Sequence, residues 1–377
     1  MKRLLSLDVL RGLTVALMIL VNNGGGPHTY AALQHSRWNG LTPCDLVFPF
    51  FLFIMGISTA LSLRKSNYQF TPAVARKIFK RATLLFLIGL FINWFDLTLS
   101  HLLEEGHFQF SIFNFQFSIF NFQFSIFNLR IFGVMQRIAL CYLAVALFAV
   151  LVPHRYTLPT IVGLLLLYTA ILLLGNGYAY DATTNILAQT DLQLFGYNHL
   201  YHKSPVDPEG LLSTLPAIAH TLIGFLLGRQ MLQATDTPRK VRLFLMAGLL
   251  MAVLGLALSP VLPPNKRIWS PSYVLLTCGL AALLQGGLMF IIDQKQHGGA
   301  WTKPLLYFGC NPLFLYVASE LLAILFGTTN IKEQAYNAIA SLIANPYNAS
   351  LTYALLFTLL HALMGYLLYR KRIFIKL

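Results

Sequence analysis

An all-α polytopic membrane bundle of about ten transmembrane helices is the fold class this sequence predicts, and three observations predict it. Of its 377 residues, 56% are hydrophobic and only 11% are charged, against roughly a quarter charged in an ordinary soluble domain. Apolar runs near the ~20 residues a helix needs to cross a bilayer recur from Leu7 to Leu368. The Lys and Arg residues gather in short clusters between those runs and form no separate domain. The net charge of +14 therefore reads as membrane topology, with no nucleic-acid partner expected.

Taken in order, the spans are expected near 7–23, 45–63, 82–96, 131–152, 157–175, 213–230, 243–260, 271–292, 304–325 and 351–369. An even number leaves both termini on one side. With the termini in the cytoplasm, 19 of the 27 basic residues fall in cytoplasmic loops or helix ends, including the stretch from Arg64 to Arg81. Only Arg37, Arg130, Lys203, Lys266, Arg267 and Lys332 lie on the opposite side. This asymmetry sets the orientation by the positive-inside rule. The first span has a basic start but no small-residue cleavage site, so it reads as a retained helix and not a signal peptide. Cys44, Cys141, Cys278 and Cys310 show no CxxC spacing. Neither a metal site nor a disulfide frame is expected, and packing is their ordinary use.

The cytoplasmic loops are too short for a soluble catalytic domain, so residues 1–377 read as one transmembrane unit with its chemistry in the bundle or on its outer face. The outer loops are longer, at 24–44, 96–130 and 175–212. The second carries FQFSIFN three times, at 108–114, 115–121 and 122–128. It reads as a duplicated loop at the membrane interface with no catalytic role.

An Arg or Asp at the centre of a span costs ~2.5 to 3.5 kcal/mol on insertion scales, so each needs a partner or a function. Asp8 and Arg11, three apart on one helical face, are expected to pair, or else Arg11 meets a ligand phosphate. Arg137, with no acidic residue within one turn, calls for an anion. Gln136, His220, Asn311, Glu320 and His361 are expected to bond between helices. Asp207 and Glu209 precede a helix start, where its dipole favours negative charge. Lys266 and Arg267 run against the charge asymmetry and imply an anionic ligand, or pairing with Asp207, Glu209 or Asp45.

The most site-like segment is VNNGGG at 21–26, followed by His28, His35 and WNGLTPCD at 38–45. Three glycines ending a span let the backbone turn sharply and approach a ligand closely. Asn22 brings a neutral donor and acceptor to that turn. His35 has the chemistry for proton transfer near neutral pH, and Asp45, at the start of the next span, is placed to orient it. A loop histidine alone is most often solvated. Trp38, Asn39, Gly40 and Thr42 make this loop both apolar and turn-rich, as fits a segment packed back onto the bundle.

On these residues the sequence resembles the transmembrane acyltransferases related to heparan-alpha-glucosaminide N-acetyltransferase. The matching segments are RLLSLDVLRGLTVALMILVNNGGG, HSRWNGLTPCDLVFPFFLFIMGIS, LRIFGVMQRIALCYL, DPEGLLSTLPAIAHTLIGFLLG, PPNKRIWSPSYVLLTCGLAALL and GCNPLFLYVASELL. The resemblance implies a bundle in the bacterial inner membrane that binds cytosolic acetyl-CoA and acetylates an amino sugar or glycan on the periplasmic face. It puts the family's active-site histidine on His35 and its catalytic asparagine on Asn22. Arg11, Arg137, Lys266 and Arg267 become the candidates for the phosphates of acetyl-CoA. A homodimer would be ordinary for such a chain. Two departures stand out: a slightly longer stretch between Asn22 and His35 than in the lysosomal enzyme, and the FQFSIFN triplication. His35 acting as acetyl carrier or as general base are both open routes. The alternative is a secondary transporter or flippase for a glycan or small anion, which ten helices with intramembrane charges also describe.

Overall fold

The computed structural model describes residues 4–104 and 127–375. The FQFSIFN triplication lies outside the described residues, apart from Phe127 and Asn128. The described residues form thirteen α-helices joined by turns. In chain order these are α1 (Leu5–Asn22), α2 (Val47–Leu63), α3 (Pro72–Glu104), α4 (Val134–Leu151), α5 (Thr157–Leu174), α6 (Ile186–Phe195) and α7 (Thr214–Gln233). They continue with α8 (Thr237–Leu258), α9 (Pro271–Leu288), α10 (Thr302–Cys310), α11 (Pro312–Thr328), α12 (Ile331–Ala340) and α13 (Pro346–Arg370).

Among the described residues nine helices are long and apolar enough to cross a membrane, and α10 with α11 passes the same test only as a pair, bent by 81° as a broken span or a re-entrant loop is. The expected continuous span at 304–325 is thus corrected. Pro312 has no N–H to continue the ladder, and its ring disfavours helical geometry at Asn311, whose φ is −130°. The Asn311 side chain ties this break to the end of the chain: its Nδ2 donates to Ile373 O at 2.9 Å, and its Oδ1 accepts from Ile375 N at 2.7 Å. The third span differs as well, because α3 begins at Pro72, ten residues before the expected start. Hydropathy falls at Arg76, Lys77, Lys80 and Arg81, but these are good helix formers and the helix runs through them.

Helix starts follow local chemistry. Asp236 accepts from Arg239 N at 2.8 Å ahead of α8, and Asn345 accepts from Tyr347 N at 2.9 Å ahead of α13. Lipid is as apolar as Leu, so helices associate by close packing at small residues. At the contact of α1 with α10, a Cβ added to Gly12 would meet Leu305 O at 1.8 Å. Where α2 crosses α7, one added to Gly56 would meet Thr221 O at 2.1 Å. Within α1, Arg11 bonds Asp8 at 2.9 Å and reaches across to Ser58 Oγ of α2 at 2.8 Å. The outer face of α5 exposes Leu166, Leu167, Leu173 and Leu174, as a lipid-facing helix should.

Candidate active site

The loop after α1 is pinned at three places. Gly25 N donates to Ser350 O and Gly26 N to Ser350 Oγ, both at 3.3 Å. An added Cβ at Gly25 or Gly26 would strike Tyr353 or Tyr336, so these two glycines let the loop close on aromatic rings of α13 and α12. Trp38 Nε1 donates to Tyr178 O at 2.9 Å. Gly40, at φ +119°, sends its N–H to Pro264 O at 2.8 Å. The loop is therefore packed on the bundle, as its composition predicts.

Asp45 lies in a short 3₁₀ turn, Pro43–Leu46, that leads into α2. Its Oδ2 accepts from Ser36 N, Thr42 N and Thr42 Oγ1 at 3.1, 3.1 and 3.0 Å. Its Oδ1 is left for His35 Nδ1, at 2.8 Å. The Asp45 side chain is fully buried while that of His35 is 43% exposed. A carboxylate on Nδ1 fixes the ring proton there and leaves the lone pair of Nε2 for an incoming proton.

Lys266 completes the group from the far end of the sequence. Its Nζ stands 3.0 Å from Nδ1 and 3.1 Å from Nε2 of His35, and 3.8 Å from Asp45 Oδ1. Burial holds this amine below the usual lysine range. It outweighs the opposing pull of Asp45, Cys44 and Glu209, and Arg267 adds to the lowering. The turn carrying Lys266 is closed by Asn265, whose Oδ1 accepts from Arg267 N at 2.9 Å and from Ile268 N at 3.3 Å, while its Nδ2 donates to Asn39 Oδ1 at 3.1 Å. Trp269 then takes φ +53°. That left-handed conformation costs a non-glycine residue ~1 to 2 kcal/mol. Its indole is 1% exposed, edge-on to Phe48, His220 and Tyr273, with the Arg137 guanidinium 5.2 Å above it. Tyr273 in turn donates to Asp45 O at 2.6 Å, so the Asp45 and Lys266 turns are held by one buried assembly.

Cys44 was expected only to pack. Its Sγ lies 3.1 Å from His35 Nδ1 and 3.7 Å from Nε2. Its place beside Asp45 in WNGLTPCD is the one signal that could have marked it. The strained Trp269 has no sequence signature at all.

A second polar cluster lies within electrostatic reach of the first. Arg130 Nη2 bonds Asp207 Oδ1 at 2.8 Å and Glu209 Oε2 at 2.9 Å. The reading of Asp207 and Glu209 as helix-start charges is corrected: α7 begins beyond them, with Ser213 at its cap position. Burial alone would raise Glu209, but Arg130 foremost, with Arg137 and Lys266, holds its carboxyl below the usual range. Asn22, at the end of α1, joins its side chain to Glu320, which is also bonded to Tyr316.

Of the residues singled out by sequence, His35, Asp45 and Lys266 come together. Asn22 makes no hydrogen bond to His35 among the described residues. Arg137 is fully buried, with Nη2 donating to Gly210 O at 3.0 Å and bonding Ser213. Arg267 Nε donates to Arg37 O at 3.1 Å. Arg11 lies eleven residues before Asn22 along α1, ~16 Å deeper in the bundle.

The sequence model of the catalytic region of heparan-alpha-glucosaminide N-acetyltransferase matches residues 3–257. Over 436 aligned residues the chain is 30% identical to heparan-alpha-glucosaminide N-acetyltransferase of Homo sapiens. It is 29% identical over 433 residues to the protein of that name in Mus musculus. Each alignment takes in 100% of this chain and 60% of the relative.

Proposed function

The chain belongs to the heparan-alpha-glucosaminide N-acetyltransferase family, and from that premise we propose that it moves an acetyl group from acetyl-CoA to the amino group of a glucosaminide at His35. The observation that carries this reading is the His35 to Asp45 contact of 2.8 Å, with Nε2 of a half-exposed imidazole left to receive a proton. An amine attacks a thioester only as the neutral base, so a protonated amino sugar must first give up a proton. His35 takes that proton and returns it to the departing sulfur. Asp45 holds the ring and balances the imidazolium that forms. Lys266, 3.1 Å from Nε2, puts a donor beside the carbonyl oxygen on which charge develops. Asn22, tied to Glu320, is assigned to the acceptor side of the site.

The four basic candidates for the donor divide by position. Lys266 belongs to the reacting end, and Arg137 is fully buried beside the Trp269 ring, its Nη2 on Gly210 and Ser213 and its Nε and Nη1 without a hydrogen-bond partner among the described residues. Arg11, lining the bundle between α1 and α2, and Arg267 are assigned to the phosphates of acetyl-CoA. The charge asymmetry supports a reading in which both termini are cytoplasmic and His35 faces the opposite side, the periplasm if the membrane is a bacterial inner membrane, so that donor and acceptor enter from opposite sides. A transporter is set aside because the family is one of acyltransferases.

Radiolabelled acetyl-CoA assayed against a panel of amino sugars tests the reading. His35→Ala is expected to lower transfer about 10²- to 10⁴-fold. Equal acetylation by both proteins would overturn it.

A further inference from the structure

A site built to join an acetyl group to an amine already contains an amine of its own. Lys266 Nζ stands at hydrogen-bond distance from both ring nitrogens of His35, where the amino group of an acceptor would have to stand to lose its proton. Three features separate it from a surface lysine. Its side chain is only 14% exposed. The Asn265 hydrogen bonds fix the backbone that carries it. Its burial also enlarges the share of neutral amine, which is the nucleophilic form. Cys44, the other nucleophile at the ring, is closer to Nδ1, the nitrogen already held by Asp45.

We propose that Lys266 is a site of self-acetylation: with donor bound and no sugar present, its amine takes the acetyl group. The inference rests on acetyl transfer at His35. Nζ forms a bond to the thioester carbonyl carbon as the carbon–sulfur bond breaks. The ammonium loses two protons in all, of which His35 passes one to the leaving sulfur and the other goes to water. The product is an amide, which does not hand its acetyl group on. It is therefore an end state and not an intermediate on the way to the sugar.

The whole protein, purified in detergent, is incubated with labelled acetyl-CoA without sugar, treated with hydroxylamine, digested and analysed by mass spectrometry. The expected result is a hydroxylamine-resistant acetyl group on Lys266, at least about tenfold weaker in His35→Gln and weaker at Lys332 in the same sample. Label that hydroxylamine removes entirely overturns the inference. So does equal labelling of Lys266 in wild type and His35→Gln, which marks simple chemical acetylation. Turnover of amino sugar is followed on a separate portion that receives donor and sugar together and has not been acetylated beforehand. Turnover there, with Lys266 unmodified in the donor-only portion, overturns the inference and leaves the proposed function standing. His35-dependent modification of Lys266 in the donor-only portion, without turnover on any amino sugar in the other, supports the inference and overturns the amino-sugar acceptor of the proposed function, and the absence of both overturns both.

Discussion

His35 Nδ1 sits 2.8 Å from one oxygen of Asp45, and the other oxygen of that carboxylate takes three donors from Ser36 and Thr42. One buried side chain therefore orients the imidazole and also ties the loop to the start of α2. The two roles are separable. In Asp45→Asn the three donors select the carbonyl oxygen for their side, which turns the amide N–H₂ toward His35. The ring proton then moves to Nε2, the nitrogen a base must keep free. Acetyl transfer is expected to fall about 10²- to 10⁴-fold with little change in Tm. Asp45→Ala removes every acceptor and should lose ~2 to 4 kcal/mol of stability as well. A wild-type rate in Asp45→Asn would sink the orienting role.

Asn265 holds Lys266 in place without touching His35. Asn265→Ala removes three hydrogen bonds at a fully buried position, a loss of ~2 to 3 kcal/mol. The freed turn should lower kcat about tenfold or more while KM for the sugar changes less. Asn265→Asp keeps the acceptor for Arg267 N and Ile268 N and should recover most of the rate. Equal kcat in Asn265→Ala and wild type would show that the Lys266 position does not matter to the reaction.

The crossings are legible in sequence because each is an apolar run bounded by charge or by Pro and Gly. The break at Asn311 carries its own signal, the Asn-Pro dipeptide, but a hydropathy window averages across it. The early start of α3 is hidden for the opposite reason, since a helix continues through charges that a hydropathy reading takes for a loop. His35 and Asp45, ten residues apart, are legible as a pair. Lys266 is legible only as a charge on the wrong side, because its contact with His35 spans 231 residues and is set by tertiary packing. Asn22 is legible as a neighbour of His35 in sequence, but its bond to Glu320 on a distant helix is again set by tertiary packing.

Arg130 faces two carboxylates whose side chains are 1% and 11% exposed. Glu209 is held below its ordinary value of 4.5. A lowered acid contributes stability that is present above the ordinary value and is lost as pH falls through the folded one. Wild type should therefore keep this contribution in full above about pH 4.5 and lose it progressively as pH falls further. Arg130→Met strands both carboxylates, favouring their protonated forms, and should cost ~3 to 5 kcal/mol at neutral pH. Its deficit should shrink as pH falls toward ~5, where the stranded groups bind protons. Thermal unfolding of both proteins across that range checks this. A deficit that does not vary with pH would remove the ion pairs as its cause.

Gly12 of α1 faces backbone and not side chain. A Cβ there would lie 1.8 Å from Leu305 O and 2.9 Å from Gly309 N, and one on Gly309 would lie 2.1 Å from Asp8 O. None of these atoms can swing aside, so Gly12→Ala must part α1 from α10. Such overpacking costs about 3 kcal/mol or more. It also shifts the helix that positions Arg11 at one level and Asn22 at another. Gly287→Ala in α9 is the control, because its Cβ would meet nothing within 4 Å. There the change should stay within ~1 kcal/mol, on the stabilising side that a helical Gly→Ala favours. Monodispersity and Tm in one detergent compare the two. If Gly12→Ala proves as stable as Gly287→Ala, the backbone contact of α1 with α10 is not the packing that holds the first helix.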